Sequence, residues 1–219
     1  MNPVLPFSSR RNFLKASAML SSGLVGATLL SPPQTYADEA DLLIIGPRKG
    51  YTPQIGTLVS QMAYTRSGVL NSTKGMTQKD LDFLFDPKAN TIGALLLHLV
   101  AVETFYQVNT FEGLAQDKIP DAWKEKWGPG MELGDAGRKE IKGHPLDYYV
   151  NLLGEAREKT LAEFRKREDA WLAVVDKSFG PGGANNYWKW FHVCEHESNH
   201  NGQIKFLKSR LPGAKPASE

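Results

Sequence analysis

Three histidines recur at intervals of four near the end of the chain, at His192, His196 and His200. The stretch that holds them, residues 187–211, has no proline and a single glycine, which favours one uninterrupted helix. Side chains four residues apart lie on one face of an α-helix, about 5–6 Å apart at Cβ. Two imidazoles at that spacing can bind one metal ion without distorting the backbone. The pattern therefore predicts a metal site on a C-terminal helix, with packed or solvated histidines as the alternative.

Helix geometry limits how many of these histidines can bind the same ion. Each step of four residues rotates the side chain by ~40°, so the outer pair diverges by ~80°. One adjacent pair should dominate, and a further ligand must come from another element. His98 completes the site most naturally, because residues 90–112 around it are apolar on nearly all sides and should be buried. In isolation it would be interpreted as a core histidine. His144 precedes Pro145, which indicates a loop residue outside the ligand set.

The elements that must position these side chains are helical. Residues 113–144, rich in glycine, proline and charge, are interpreted as a long loop between the second and third long helices. No convincing alternating pattern predicts a strand, so the expected fold is all-α, a four-helix bundle. Inward side chains of facing helices about 8–10 Å apart can share one ion. The predicted long helices, with one short helical turn at 76–85, are residues 52–70, 90–112, 146–169 and 187–211.

Composition narrows the classes of protein to which the chain can belong. Its 219 residues suffice for one domain with a sizeable core, and 41% of them are hydrophobic. Cys194 is the single cysteine, which excludes an intrachain disulfide and a cysteine-rich zinc module. It lies two residues from His196, about 200° around a helix, so it should face away from a metal bound there. Without the three basic residues of segment 1–37, 23 basic residues (26 minus 3) face 24 acidic ones, which argues against nucleic-acid binding.

The N-terminus has the pattern of an export signal. Arg10 and Arg11 precede an apolar run of about 15 residues, and a small-residue boundary follows. The run is short of the ~20 residues that cross a bilayer, and an uncleaved membrane anchor is the alternative. We expect cleavage after Ala37, twin-arginine export to the periplasm, and contact with the membrane only during export. The expected organisation is a signal peptide at 1–37, a linker at 38–51, the bundle at 52–211 and a C-terminal tail at 212–219.

Two stretches, DLDFLFDPKANTIGALLLHLVAVE and WFHVCEHESNHNGQI, resemble the DinB-like metal-binding four-helix-bundle family over about residues 52–210. The resemblance implies a divalent ion, commonly zinc or nickel, with open positions for water or substrate. It implies a ligand set of His98, His196 and His200. His192 is outside that set and is interpreted as a residue behind the ligands or in the core. Asn201 stands where the family often has a basic residue, which puts an anionic substrate in doubt.

Three functions are consistent with these residues. The favoured one is a metal-dependent hydrolase or transferase that activates a bound water or thiol, with an unknown small-molecule substrate. The resemblance extends to thiol transferases, although an exported protein would not readily meet cytosolic thiols. A second is a zincin-type hydrolase, since residues 196–200 match H-E-x-x-H with Glu197 as base, but the 19 residues after His200 hold no third histidine. The third is a non-catalytic metal-binding, structural or stress-related envelope protein. Self-association as a homodimer is left open.

Overall fold

The computed structural model describes residues 41–215. The predicted signal peptide at 1–37, with Arg10 and Arg11, lies outside the described residues, as do residues 38–40 of the linker and 216–219 of the tail. In chain order the elements are α1 (Pro53–Thr73), α2 (Gln78–Leu81), α3 (Ile92–Tyr106), α4 (Asp121–Glu132), α5 (Gly134–Glu140), α6 (Leu146–Phe164), α7 (Asp169–Leu172), β1 (Val175–Asp176), β2 (Ala184–Asn185) and α8 (Asn186–Lys208). The all-α prediction is confirmed, with α1, α3, α6 and α8 as its long helices.

Helix α3 is the central element of the core. The Thr91 hydroxyl accepts a hydrogen bond from the backbone N–H of Ala94 and starts the helix, as a capping threonine does. After Tyr106 the helix continues as one turn of π-helix, Gln107–Phe111. By length and composition the stretch Ile92–Phe111 could cross a membrane, but 94% of its most apolar window is buried inside the bundle. A helix apolar on nearly all sides is here surrounded by protein, as the sequence predicts.

The interpretation of residues 113–144 as a loop is wrong. This segment forms a 3₁₀ turn at Gln116–Lys118 and the helices α4 and α5, of which α4 packs against α3 and α5 packs against α4. Trp127 and Ile141 are buried in the core cluster of α3, and this apolar contact outweighs the poor helix propensity of the local Gly-Pro-Gly sequence. The helices are separated at Leu133, whose φ of 55° is a left-handed conformation. The glycine, proline and charged residues of this segment gave no indication of these two helices.

Smaller differences concern element ends. Helix α1 continues to Thr73, whereas α6 and α8 end earlier than predicted, at Phe164 and Lys208. Only Gln78–Leu81 of the short turn predicted at 76–85 is helical. The antiparallel pair β1–β2, with Val175 opposite Asn185, was not predicted because strands of two residues are too short to show alternation.

The four long helices meet at a buried ion network to which each contributes one charged residue. These residues, each at most 5% exposed, are Arg66 of α1, Glu103 of α3, Arg157 of α6 and Glu197 of α8. The Arg66 guanidinium donates to Glu103 at 2.8 Å and to Glu197, and the Arg157 guanidinium donates to the same two carboxylates at 2.8 and 2.9 Å. Burial alone would raise the pKa of Glu103, but Arg157 and then Arg66 lower it. This network therefore holds two charges of each sign, all paired.

Candidate metal centre

Three imidazoles converge between α3 and α8. The Nε2 atom of His196 lies 3.1 Å from Nε2 of His98 and 3.1 Å from Nε2 of His200. One nitrogen from each ring lies within 4.8 Å of the others, and within residues 41–215 this is the group of side chains close enough to share an ion. His98 and His200 are 9% and 8% exposed, and His196 is half-buried. The structure thus brings together the two-helix set that the resemblance implied.

The outer nitrogens of two of these rings are already hydrogen-bonded. Nδ1 of His98 donates to the carbonyl oxygen of Gly130 at 2.9 Å, and Nδ1 of His200 donates to Oε1 of Gln203 at 3.0 Å. With the proton on Nδ1, Nε2 carries a lone pair. Two lone pairs therefore point toward His196 at short distance, an arrangement that a cation would stabilise. The donor set fits a divalent ion such as zinc or nickel, and the choice among metals stays with experiment.

The carbonyl of Gly130 is free for His98 because α4 ends there. The last four carbonyls of an α-helix have no partner within the helix. Leu133 N–H donates to Pro129 instead, and Gly134 N–H donates to Asn90 Oδ1 at 3.1 Å. Gly130 itself lies so close to α3 that an added Cβ would come within 3.2 Å of the Leu97 carbonyl oxygen. A glycine at this position thus lets α4 approach α3 and orient the His98 ring.

Replacing Gly130 by alanine should lower metal affinity about ten-fold. The new methyl group would move α4 away from Leu97 and lengthen the hydrogen bond to His98, and partners behind a metal ligand contribute on this scale. Competition with a chromogenic chelator measures the change. Gly128→Ala is the matched control in the same helix, because a Cβ there meets nothing within 4 Å. Equal affinity in the two variants would contradict this role for Gly130.

Burial keeps the three rings neutral at physiological pH. It lowers the pKa of His98 to about 4 and that of His196 to about 3, with smaller contributions from the neighbouring histidines. It also lowers the pKa of His200. A neutral imidazole is the form that binds a metal ion, so the site is in its binding state without a further proton loss.

His192 lies beside this group without belonging to it. Its Nδ1 is 2.7 Å from Glu195 Oε1, and its ring stacks on Trp188 with a centroid distance of 5.1 Å. The ring centroid is also 5.1 Å from that of His196. The His192 side chain is 28% exposed, so it is not a core residue. Of the two interpretations made from the sequence, the position behind the ligands is the one that remains.

Other polar residues singled out in the sequence lie away from the three histidines. His144 lies outside the helices, as expected for a loop residue, and its ring stacks on Tyr148 of α6. The Glu197 carboxylate is paired with Arg66 and Arg157 in the ion network, so it is not free to act as the base of an H-E-x-x-H hydrolase. Asn201 accepts a hydrogen bond from the Ser72 hydroxyl at 2.7 Å, so it contributes to the contact between α1 and α8.

Cys194 should be dispensable for the metal. Its thiol is buried in the core cluster around Trp190 and hydrogen-bonds to that residue's carbonyl oxygen at 3.5 Å. Burial raises the pKa of the thiol to about 12, so it is not the thiolate that binds metals. We expect Cys194→Ser to retain one metal per chain by elemental analysis. Loss of metal in this variant would mean that the orientation of α8 is wrong.

A cavity of about 430 Å³ opens next to the histidines. His98, His192 and His196 contribute to its lining, and most of the remaining lining residues are apolar or aromatic. The size is within the range of small-molecule sites, about 300–1,000 Å³. The sequence did not identify this lining, because much of it comes from the segment interpreted as a loop. The remaining lining residues are Val102, Phe105, Tyr106, Gln116, Ile119, Trp123, Lys124, Met131 and Phe179.

A family model described as "MST: Mycothiol-S-transferase" matches residues 57–213, which include all three converging histidines and the four long helices apart from the first residues of α1. A search of the curated proteins finds no match.

Proposed function

The chain belongs to the mycothiol-S-transferase family, within the DinB-like superfamily, and we propose that it is a metal-dependent transferase that joins a small thiol to an electrophile. The single observation that carries this proposal is the cavity beside the three converging histidines. Three protein ligands leave a coordination position for a reactant, as in catalytic rather than structural metal sites. The adjacent cavity offers room for the second reactant.

Each part of the site has a defined task in this proposal. His98, His196 and His200 would hold the metal, and Gly130 and Gln203 fix two of these rings by hydrogen bonds. When bound, the ion supplies the positive charge that favours thiolate over thiol. The apolar lining excludes water from the electrophile and holds it close to the sulfur. In the overall reaction a sulfur–carbon bond forms, the bond to the leaving group breaks with its electron pair, and the thiol proton goes to solvent.

Thioether formation with defined thiols tests the proposal. Untagged protein would be stripped of metal, reloaded with zinc or nickel, and mixed with iodoacetamide and a thiol. Mycothiol, the thiol in the family's name, would be compared with cysteine and glutathione. We expect mass spectrometry to show thioether above the uncatalysed rate with at least one thiol, and the excess to vanish without metal. No excess with any thiol would contradict the proposal and favour a non-catalytic metal-binding protein.

We also propose export by the twin-arginine route, on the basis of the N-terminal sequence. Replacing Arg10 and Arg11 together by lysine should leave the precursor in the cytoplasm, because the arginine pair is the feature by which that pathway is addressed. Cell fractionation and immunoblotting measure the distribution. Normal export of the double variant would contradict this interpretation. The compartment also determines which thiols are available to the protein, so the result of this experiment narrows the set of candidate thiol substrates.

A further inference from the structure

The β1–β2 hairpin, residues 175–185, contributes one aromatic side chain to the wall of the metal cavity. This side chain is Phe179, at the tip of the hairpin. Its ring centroid lies 6.0 Å from that of Tyr106, 6.5 Å from that of Phe105 and 5.9 Å from that of Trp188. Phe179 is half-buried, so part of its ring remains available to a molecule in the cavity.

A buried lysine holds this hairpin in place. Lys189 of α8 is 1% exposed, and its ammonium group donates to Asp176 Oδ2 at 2.9 Å and to Asn109 Oδ1 at 2.7 Å. A buried ammonium is costly unless it is paired, so these bonds fix β1 to α8 and to the π-helical turn after α3. The same ammonium lies 4.7 Å above the ring of Phe179, a cation–π contact. The position of Phe179 is therefore set by a charged cluster outside the metal site.

Further aromatic side chains line the cavity besides Phe179. Phe105 and Trp123 meet edge to face with centroids 6.0 Å apart, and Tyr106 lies beside them. Apart from the histidines, the lining has few polar side chains, and two of them, Lys124 and Gln116, are exposed. Aromatic rings favour contact with other flat apolar groups through offset or edge-to-face geometry. A small polar electrophile would use little of this surface.

We propose that Phe179 is a specificity-determining residue that selects electrophiles with a planar aromatic body, and that Lys189, Asp176 and Asn109 hold it in position. This inference rests on the proposed transferase function and names the class of its second substrate. For an aryl chloride, the thiol sulfur bonds to the ring carbon, chloride leaves with the electron pair, and the thiol proton goes to the buffer. With iodoacetamide, the thiol sulfur bonds to the methylene carbon, iodide leaves with the electron pair, and the thiol proton goes to the buffer. Iodoacetamide lacks the aromatic ring.

The test compares these two electrophiles in the zinc-loaded protein with one thiol. For Phe179→Ala we expect kcat/KM for chlorodinitrobenzene to fall about ten-fold, mostly through KM, and kcat/KM for iodoacetamide, which has no ring to contact Phe179, to fall by a clearly smaller factor. Phe179→Leu, which keeps apolar volume, should show the same selectivity change if the alanine variant folds poorly. Phe191→Ala is the matched control, since Phe191 is an exposed aromatic residue of α8 outside the cavity lining. An unchanged ratio between the electrophiles in the Phe179 variants would overturn the inference.

A binding measurement separates this inference from the proposed reaction. If the wild-type protein transfers a thiol to neither electrophile, the proposed function fails, but the cavity can still be probed with unreactive dinitroaniline. By calorimetry we expect wild-type protein to bind it and Phe179→Ala to bind about ten-fold more weakly. Asp176→Ala, which frees the hairpin, should weaken binding in the same direction. Equal affinity of wild-type and Phe179→Ala protein, or no binding by the wild type, would overturn the inference.

Discussion

Alanine substitution of any one of the three converging histidines should abolish stoichiometric metal binding. Nε2 of His196 lies 3.1 Å from Nε2 of each of the other two rings, and removing one ring leaves two ligands, fewer than the three found in catalytic zinc sites. We expect less than 0.1 metal per chain (about a ten-fold loss or more) after dialysis, measured by elemental analysis of untagged protein. The variants to compare are His98→Ala, His196→Ala and His200→Ala.

The control for this prediction is His192, which belongs to the same row of histidines in the sequence. Its Nδ1 bonds to Glu195 and its ring stacks on Trp188, so it supports the site from the side. His192→Ala should retain metal and lose about ten-fold in affinity at most. Circular dichroism should remain helical in all variants, because the bundle buries its core without the ion. If His192→Ala loses its metal while His98→Ala keeps it, the site belongs to one helix and the two-helix arrangement is wrong.

The sequence was most informative where one face of a helix decides the structure. The spacing of four between the histidines predicted α8, and the nearly all-apolar sequence around His98 predicted α3. Both predictions were possible because helical periodicity is a local property of the sequence. Which adjacent pair would join His98 did not follow from spacing. His192 and His196 are spaced like His196 and His200, and only the position of α3 along α8 separates them. The family resemblance supplied that choice.

The remaining parts of the site depend on contacts between distant residues. The Gly130 carbonyl reaches His98 because α4 packs on α3 and ends there, and nothing in residues 128–130 alone indicates this role. The close approach of Gly130 to Leu97 explains the glycine only after the packing is known. Similarly, the sequence around Asp176 does not indicate its role, which is to accept a hydrogen bond from the buried ammonium group of Lys189. Tertiary packing outweighed local propensity in this part of the chain.

Glu197 shows how the metal site and the core are linked through one helix. It adjoins His196 in sequence, but at ~100° per residue its side chain leaves α8 in another direction and enters the ion network. On α3, Glu103 lies five residues after His98, and its side chain likewise enters the ion network. The network thus fixes the rotation of both helices that carry metal ligands. Its integrity should affect the stability of the whole bundle.

Glu197→Ala should therefore destabilise the protein by about 3–5 kcal/mol, because it leaves an uncompensated positive charge in the core. Arg66 and Arg157 would then face Glu103 alone. For a domain of this size the expected fall in Tm is on the order of 10 °C, measured by calorimetry of the metal-free protein so that loss of the ion does not contribute. Glu195→Ala, on the exposed side of α8, is the matched control and should change stability by less than about 1 kcal/mol.

A double variant distinguishes an unpaired charge from lost packing. Arg66→Met combined with Glu197→Met removes one charge of each sign and leaves Arg157 paired with Glu103 at 2.8 Å. Replacing a buried ion pair by apolar side chains of similar volume is often neutral, whereas removing one partner is not. The double variant should therefore be more stable than either single substitution, with a coupling of about 1–3 kcal/mol. Additive losses in the two single variants would contradict the network, because they would show that the charges of α1 and α8 act independently in the core.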